Sequence, residues 1–95
     1  MPRFDVSHVS YGKSEQNNQI VIRGEITNLS GRNYTAVAVR VVLFIKNFPI
    51  ANIVIVVNGL PNDSTRTFEK YVEELEYEKV GKDITRFEAY VESAY

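Results

Sequence analysis

The sequence predicts an all-β fold, an antiparallel sandwich of six to seven strands, on three observations. The run Val37-Ala38-Val39-Arg40-Val41-Val42-Leu43-Phe44-Ile45 places an aliphatic residue at every second position, the side-chain period of a strand. Comparable runs recur along the chain, separated by clusters of Gly, Asn, Asp, Ser and Pro. No regular alternation of helical and strand-like segments suggests a parallel sheet.

The first strand is expected over residues 3–11, with Phe4, Val6 and His8 alternating against Asp5 and Ser7. Tyr11 to Asn18 is a polar turn. Gln19–Asn28 follows as a strand with Ile20, Ile22 and Ile26 inward and Arg23, Glu25 and Thr27 outward. Gly24 falls on the inward row, where a missing side chain marks a bulge or a close approach of another backbone. Asn28 to Asn33 is a turn by composition, and Tyr34–Lys46 is the central strand. Its second row, from Ala36 through Arg40 and Val42 to Phe44 and Lys46, is only half polar.

After a turn at Asn47-Phe48-Pro49, Ile50–Val57 forms a fourth strand, apolar on both rows, and Asn58 to Asp63 is a loop. Residues 66–80 are ambiguous: Phe68, Val72 and Leu75 follow helical spacing, yet Thr65-Arg66-Thr67-Phe68 opens like a strand. The reading adopted is a strand over about 65–73, then a loop or short helical turn through Gly81, with boundaries loose by about two to four residues. Ile84–Ser93 closes the set, Phe87, Ala89 and Val91 inward, Arg86, Glu88, Tyr90 and Glu92 outward. Strands so spaced, with turn signals between them, give the pattern of an antiparallel immunoglobulin-like β-sandwich in one domain over residues 1–95.

The segments Gly24-Glu25-Ile26-Thr27-Asn28-Leu29-Ser30 and Val37 to Phe44, with the turn Asn58-Gly59-Leu60-Pro61-Asn62-Asp63 and then Phe68, resemble the FxLYD-type domains over residues 18–92. Phe44-Ile45 stands where that family carries Tyr-Asp, and Pro61-Asn62 where it carries Pro-Gly. The resemblance implies an immunoglobulin-like fold on a bacterial or archaeal envelope protein. It implies no activity and carries over no catalytic residue.

Composition narrows the function classes. A formal net charge of -1 opposes nucleic-acid binding, and Lys13, Arg23, Arg32, Arg40 and Lys46 are scattered over different loops and faces. No apolar run is long enough for a membrane helix, so no membrane insertion is expected. With no cysteine there is no disulfide, thiolate metal site or cysteine nucleophile. The N-terminus lacks the apolar stretch of a signal peptide, which predicts a cytoplasmic location as written, or an envelope or extracellular one if a leader was removed.

No catalytic, cofactor-binding or metal-binding residue emerges. His8 is the only histidine, so one chain holds no triad or histidine cluster. Glu69, Glu73, Glu74, Glu76 and Glu78 interest a hard cation, but Lys70 and Lys79 lie among them and the spacing is not that of a calcium loop. A solvated charged face is the simpler reading. Asn28, Asn33 and Asn62 each begin a glycosylation acceptor triplet, in turns where Asn also belongs for backbone reasons.

The surplus lies in apolar residues beyond what one buried face needs. Val42, Phe44, Ile50, Val54 and Val56 are the candidate interface, and Ile53 to Val57 is an uncharged β-branched run flanked by Lys46 and Asn58. The expected role is a non-catalytic protein-interaction or self-assembly module, homo-oligomeric or bound to a protein partner, needing no cofactor. The alternatives are an envelope-associated domain separated from its anchor, or a weak metal- or ligand-binding domain built on the glutamates around Glu73.

Overall fold

A computed structural model describes residues 3–95. Six strands form two three-stranded antiparallel sheets packed face to face. They are β1 (Phe4–Lys13), β2 (Gln19–Asn28), β3 (Tyr34–Ile45), β4 (Phe48–Leu60), β5 (Thr65–Glu76) and β6 (Arg86–Ala94). One sheet has the order β1-β2-β5 and the other β4-β3-β6. A one-turn helix, α1 (Tyr77–Val80), and a 3-10 turn at Gly81–Asp83 carry the chain from β5 to β6. The all-β sandwich expected from the sequence is the fold.

The predicted inward rows supply most of the core. Ile20, Ile22 and Ile26 of β2 meet Val37, Val39, Val41 and Leu43 of β3, all fully buried. Ile53, Ile55 and Val57 of β4, with Phe68 and Val72 of β5, complete it. Each such side chain contributes roughly 1.5–3 kcal/mol of burial, and no disulfide adds to that.

Irregularities in β1, β4 and β5 separate the real strands from the expected ones. In β1, Ser7 pairs with Glu25 but Ser10 pairs with Arg23, so His8 and Val9 together oppose Gly24. His8 takes a left-handed φ of 53° in that bulge, which shifts the inward row. Val9 and Tyr11, not His8, follow Phe4 and Val6 against the core, and His8 is exposed.

In β4, Leu43 pairs with Ala51 and Phe44 with Pro49, leaving Ile50 as the extra residue. In β5, Val72 pairs with Ile20 and Glu76 with Gln19, so Glu73, Glu74 and Leu75 bulge out of the ladder. That bulge carries β5 past its expected end and turns Leu75 toward the core. Downstream of it, Tyr77 opens the short helical turn that the sequence left open as an alternative.

Asn28 is the one large polar side chain that is fully buried among the described residues. Its Nδ2 donates to the carbonyls of Arg32, 2.7 Å, and Leu60, 2.9 Å, while Oδ1 accepts from Ser30 N, 3.0 Å, and Ser30 Oγ, 2.6 Å. The other two acceptor-triplet asparagines extend this staple. Asn62 Oδ1 accepts from Gly31 N at 2.9 Å, and Asn33 Oδ1 accepts from Asn62 N at 2.9 Å. All three asparagines tie the β2–β3 turn to the β4–β5 loop, and so to one end of β4.

Candidate functional site

The outer face of the β4-β3-β6 sheet is where the sequence placed its surplus. Because β3 alternates strictly, Ala38, Arg40, Val42 and Phe44 point away from the core. Their cross-strand neighbours on β4 are Val56, Val54, Asn52 and Pro49. On β6 they are Ser93, Tyr90, Glu88 and Arg86.

This face covers its own centre line. Arg40 Nε and Nη2 donate to Glu92 Oε1 at 2.9 and 2.6 Å, and its Nη1 donates to Asn52 Oδ1. Arg86 lies over the Phe44 ring, 3.8 Å from its centroid, and pairs with Glu88 at 2.7 Å. Val42 sits between these two groups and is only 8% exposed without any partner.

The five candidate interface residues therefore divide. Val54 and Val56 stand open at 39% and 56% exposure. Val42 and Phe44 share their face, the first covered and the second stacked under Arg86. Ile50, shifted by the bulge, is half-buried and packs against the core cluster. What remains open is a strip along β4, with exposed Phe48 at its start and Tyr90 across the sheet on β6.

The strand bearing that strip is an edge, and the four edges of the sandwich are not alike. An unpaired edge offers a row of N–H and C=O groups to any extended chain, and charges or bulges normally block it. β1 has Asp5, Lys13 and the bulge at His8. β5 carries Arg66, Glu69, Lys70, Glu73, Glu74 and Glu76, and β6 carries Arg86, Glu88 and Glu92. From Phe48 to Leu60, β4 has no charged residue at all. Its single irregularity lies near one end, at Ile50, leaving Ala51 to Asn58 in regular register with β3.

Two hollows lie elsewhere. One, of about 330 Å³, lies at Gly24 and Phe68 among the side chains of His8, Arg23, Glu25 and Glu69. His8 Nδ1 lies 2.9 Å from Glu25, and Arg23 Nε donates to Glu69 at 2.7 Å. That Glu69 hydrogen bond, and then its charge, hold the Arg23 guanidinium above the ordinary arginine pKa. His8, Arg23, Glu25 and Glu69 are thus paired with one another.

The second hollow, of about 440 Å³, opens between Phe4 and Val6 of β1 and residues 89–94 of β6. Phe4, which lines it, packs against the Tyr34 ring, and Tyr11 of β1 packs against Phe87 of β6.

The glutamate group does not gather. Glu69 faces Arg23, Glu76 lies 3.5 Å from Lys79 and Glu78 lies 3.3 Å from Lys13. Among the described residues no three acidic or histidine side chains converge as metal ligands. No helix of the described chain is long and apolar enough to cross a membrane.

Comparison with family models, with curated proteins and with solved structures finds no match. The reading of the site therefore rests on its own geometry. Sequence reasoning singled out Val54 and Val56 and marked Asn58 as a flank, but did not show that Asn52 and Asn58 bracket them on the same outward row. The signal was present as a stretch without charge; only the sheet order shows that this stretch is an edge.

Proposed function

We propose that this domain is a non-catalytic protein-interaction module that takes up a strand at the free edge of β4. The observation that carries this is the contrast among edges: three are guarded by charge, and β4 is a long uncharged strand with its outward valines open. Main-chain hydrogen bonds along Ala51 to Asn58 supply the affinity, and Val54 and Val56 supply apolar area beside them. The partner is a second copy of the chain or an extended segment of another protein.

Placing lysine on an exposed edge is a common natural way to prevent strand addition. The variant Val54→Lys/Val56→Lys is expected to keep its fold, since both side chains are already open to water. Light scattering behind size exclusion, run over a wide concentration range, should show the parent chain associating and the variant monomeric. An unfolded variant would mean that the two valines are core, and a variant that associates like the parent would remove β4 from the contact.

A further inference from the structure

The β4 edge is self-complementary in one register, and we infer from this that its occupant is the β4 strand of a second copy, antiparallel, with the two-fold axis at Ile55. This deepens the strand-addition reading and rests on it. Two identical edges meeting about a two-fold axis must run antiparallel, and residues directly opposite each other share a face. Even registers alone keep the outward row of one copy against the outward row of the other, because a one-residue slip sets outward against inward.

Three such registers centre on the open strip, and side-chain chemistry separates them. With the axis at Ile55, Val54 faces the partner's Val56 twice and Asn52 faces the partner's Asn58 twice, while Ile53 and Val57 meet on the core side. Every pair then joins like with like, aliphatic with aliphatic and amide with amide. With the axis at Val54, Asn52 is set against the partner's Val56. With the axis at Val56, Val54 is set against the partner's Asn58. Both alternatives set valine against amide and so give up the aliphatic and the amide cross-strand pairs together.

The result is one six-stranded sheet, β6-β3-β4 continuing into the partner's β4-β3-β6. The edges that end this sheet are the two β6 strands, which carry Arg86, Glu88 and Glu92, so growth stops at two copies. A contact of this length lies at the low end of stable interfaces, so association is expected to depend on concentration.

The test uses charge placement in the full chain. Val54→Glu and Val56→Lys, each alone, set a charge against the partner's valine and should raise the dimer dissociation constant at least about tenfold. Combined in one chain, they set the introduced carboxylate of each copy against the introduced ammonium of the other, and the dimer should return to within about threefold of the parent. Val54→Lys/Val56→Lys, with the same number of charges at the same positions, should stay monomeric. The other two registers set like charges against each other at the axis and predict no recovery for the Glu/Lys variant.

Circular dichroism and thermal unfolding on each variant separate loss of contact from loss of fold. A parent dimer that the Lys/Lys variant abolishes but the Glu/Lys variant does not restore would overturn the register while leaving the edge in place. A parent dimer indifferent to all four variants would overturn both readings. A parent chain that stays monomeric at every concentration would overturn the second copy as occupant. Strand addition from another protein would then be read by protection of alternate β4 amides from exchange when that protein is added.

Discussion

Replacing Asn28 by Asp is expected to destabilise the domain by about 3–5 kcal/mol, a large share of the roughly 5–15 kcal/mol available to a domain of this kind. The two shapes are nearly identical, so the whole effect is chemical. Asn28 Nδ2 holds the carbonyls of Arg32 and Leu60, and in the variant a carboxylate oxygen faces both of them. Two attractive contacts become repulsive, and a charge is placed where the parent side chain is wholly shielded from water. The two donors from Ser30 still reach Oδ1 and soften the cost without removing it.

The sign of the pH dependence follows. Burial against two carbonyl oxygens favours the neutral acid, so the folded-state pKa of the introduced carboxyl lies above its unfolded value. The variant's stability relative to parent is then greatest below the unfolded carboxyl range, near pH 4, and falls as pH rises through the folded value. Chemical denaturation at pH 3.5 and pH 7 should give a smaller deficit at the lower pH. A pH-independent deficit would show that the carboxylate finds water. Asn28→Ala, which removes donors and acceptor together, is expected to cost about 2–3 kcal/mol at both pH values.

This staple also bears on the edge, because Leu60, whose carbonyl Asn28 holds, is the last residue of β4. Loss of Asn28 is therefore expected to weaken association as well as folding, whereas loss of Val54 or Val56 weakens association alone. The distinction gives a control for the variants at the edge.

The fold was legible where one residue period ruled. β3 alternates without interruption on its inward row, and β2 does so except at Gly24; Ile20, Ile22, Ile26, Val37, Val39, Val41 and Leu43 all lie where alternation puts them. The sequence misled where a bulge changed the period. A bulge is decided by both strands of a pair, and one strand's sequence does not reveal its partner. His8 shares the parity of Phe4 and Val6, and its exposure fits a partly exposed strand residue, but parity does not show the extra residue opposite Gly24 that turns it out and brings Val9 in. Ile50 matched the parity of Val54 and Val56 until the irregularity at Pro49 turned it toward the core.

The helix-or-strand ambiguity of β5 has the same origin. Phe68 and Val72 are four residues apart, a spacing that fits a strand row and a helix face equally. Leu75 favoured the helix by its spacing; it reaches the core because residues 73–75 bulge. The candidate site was half legible. Hydrophobic surplus identified Val54 and Val56, but which apolar residues are covered depends on side chains from three strands. Val42 has the same parity as Val56 in sequence terms, yet it lies in the central strand between Asn52 and Glu88 and is only 8% exposed.

The interruption at Gly24 supplies the second large effect. Gly24 pairs directly with Phe68 on β5, and the Phe68 ring lies across the glycine where a side chain would stand. A Cβ built at Gly24 overlaps Phe68 Cζ and falls 2.9 Å from Cε1 and 3.1 Å from Cε2. The approach anticipated at this glycine is made by a ring rather than by a backbone. An aromatic ring laid over a strand glycine replaces the apolar cover that the glycine lacks, so the two residues act as one packing unit. Phe68→Ala is expected to cost about 3–5 kcal/mol, because it empties core volume and bares the Gly24 backbone at once.

Gly24→Ala is expected to cost about 1–3 kcal/mol by overpacking, since the ring it displaces is itself buried between the sheets. The informative variant is the pair. Gly24→Ala with Phe68→Leu gives the new methyl group the space that the ring vacates, and should be destabilised by at least about 1 kcal/mol less than the sum of its two single variants. Urea denaturation of the four proteins closes the cycle. Strict additivity would mean that Gly24 is required for the bulge in β1 and not for the ring. In that case the alanine alone should release His8 from its left-handed φ and return it to the inward row, a change that the exchange rates of the β1 amides would register.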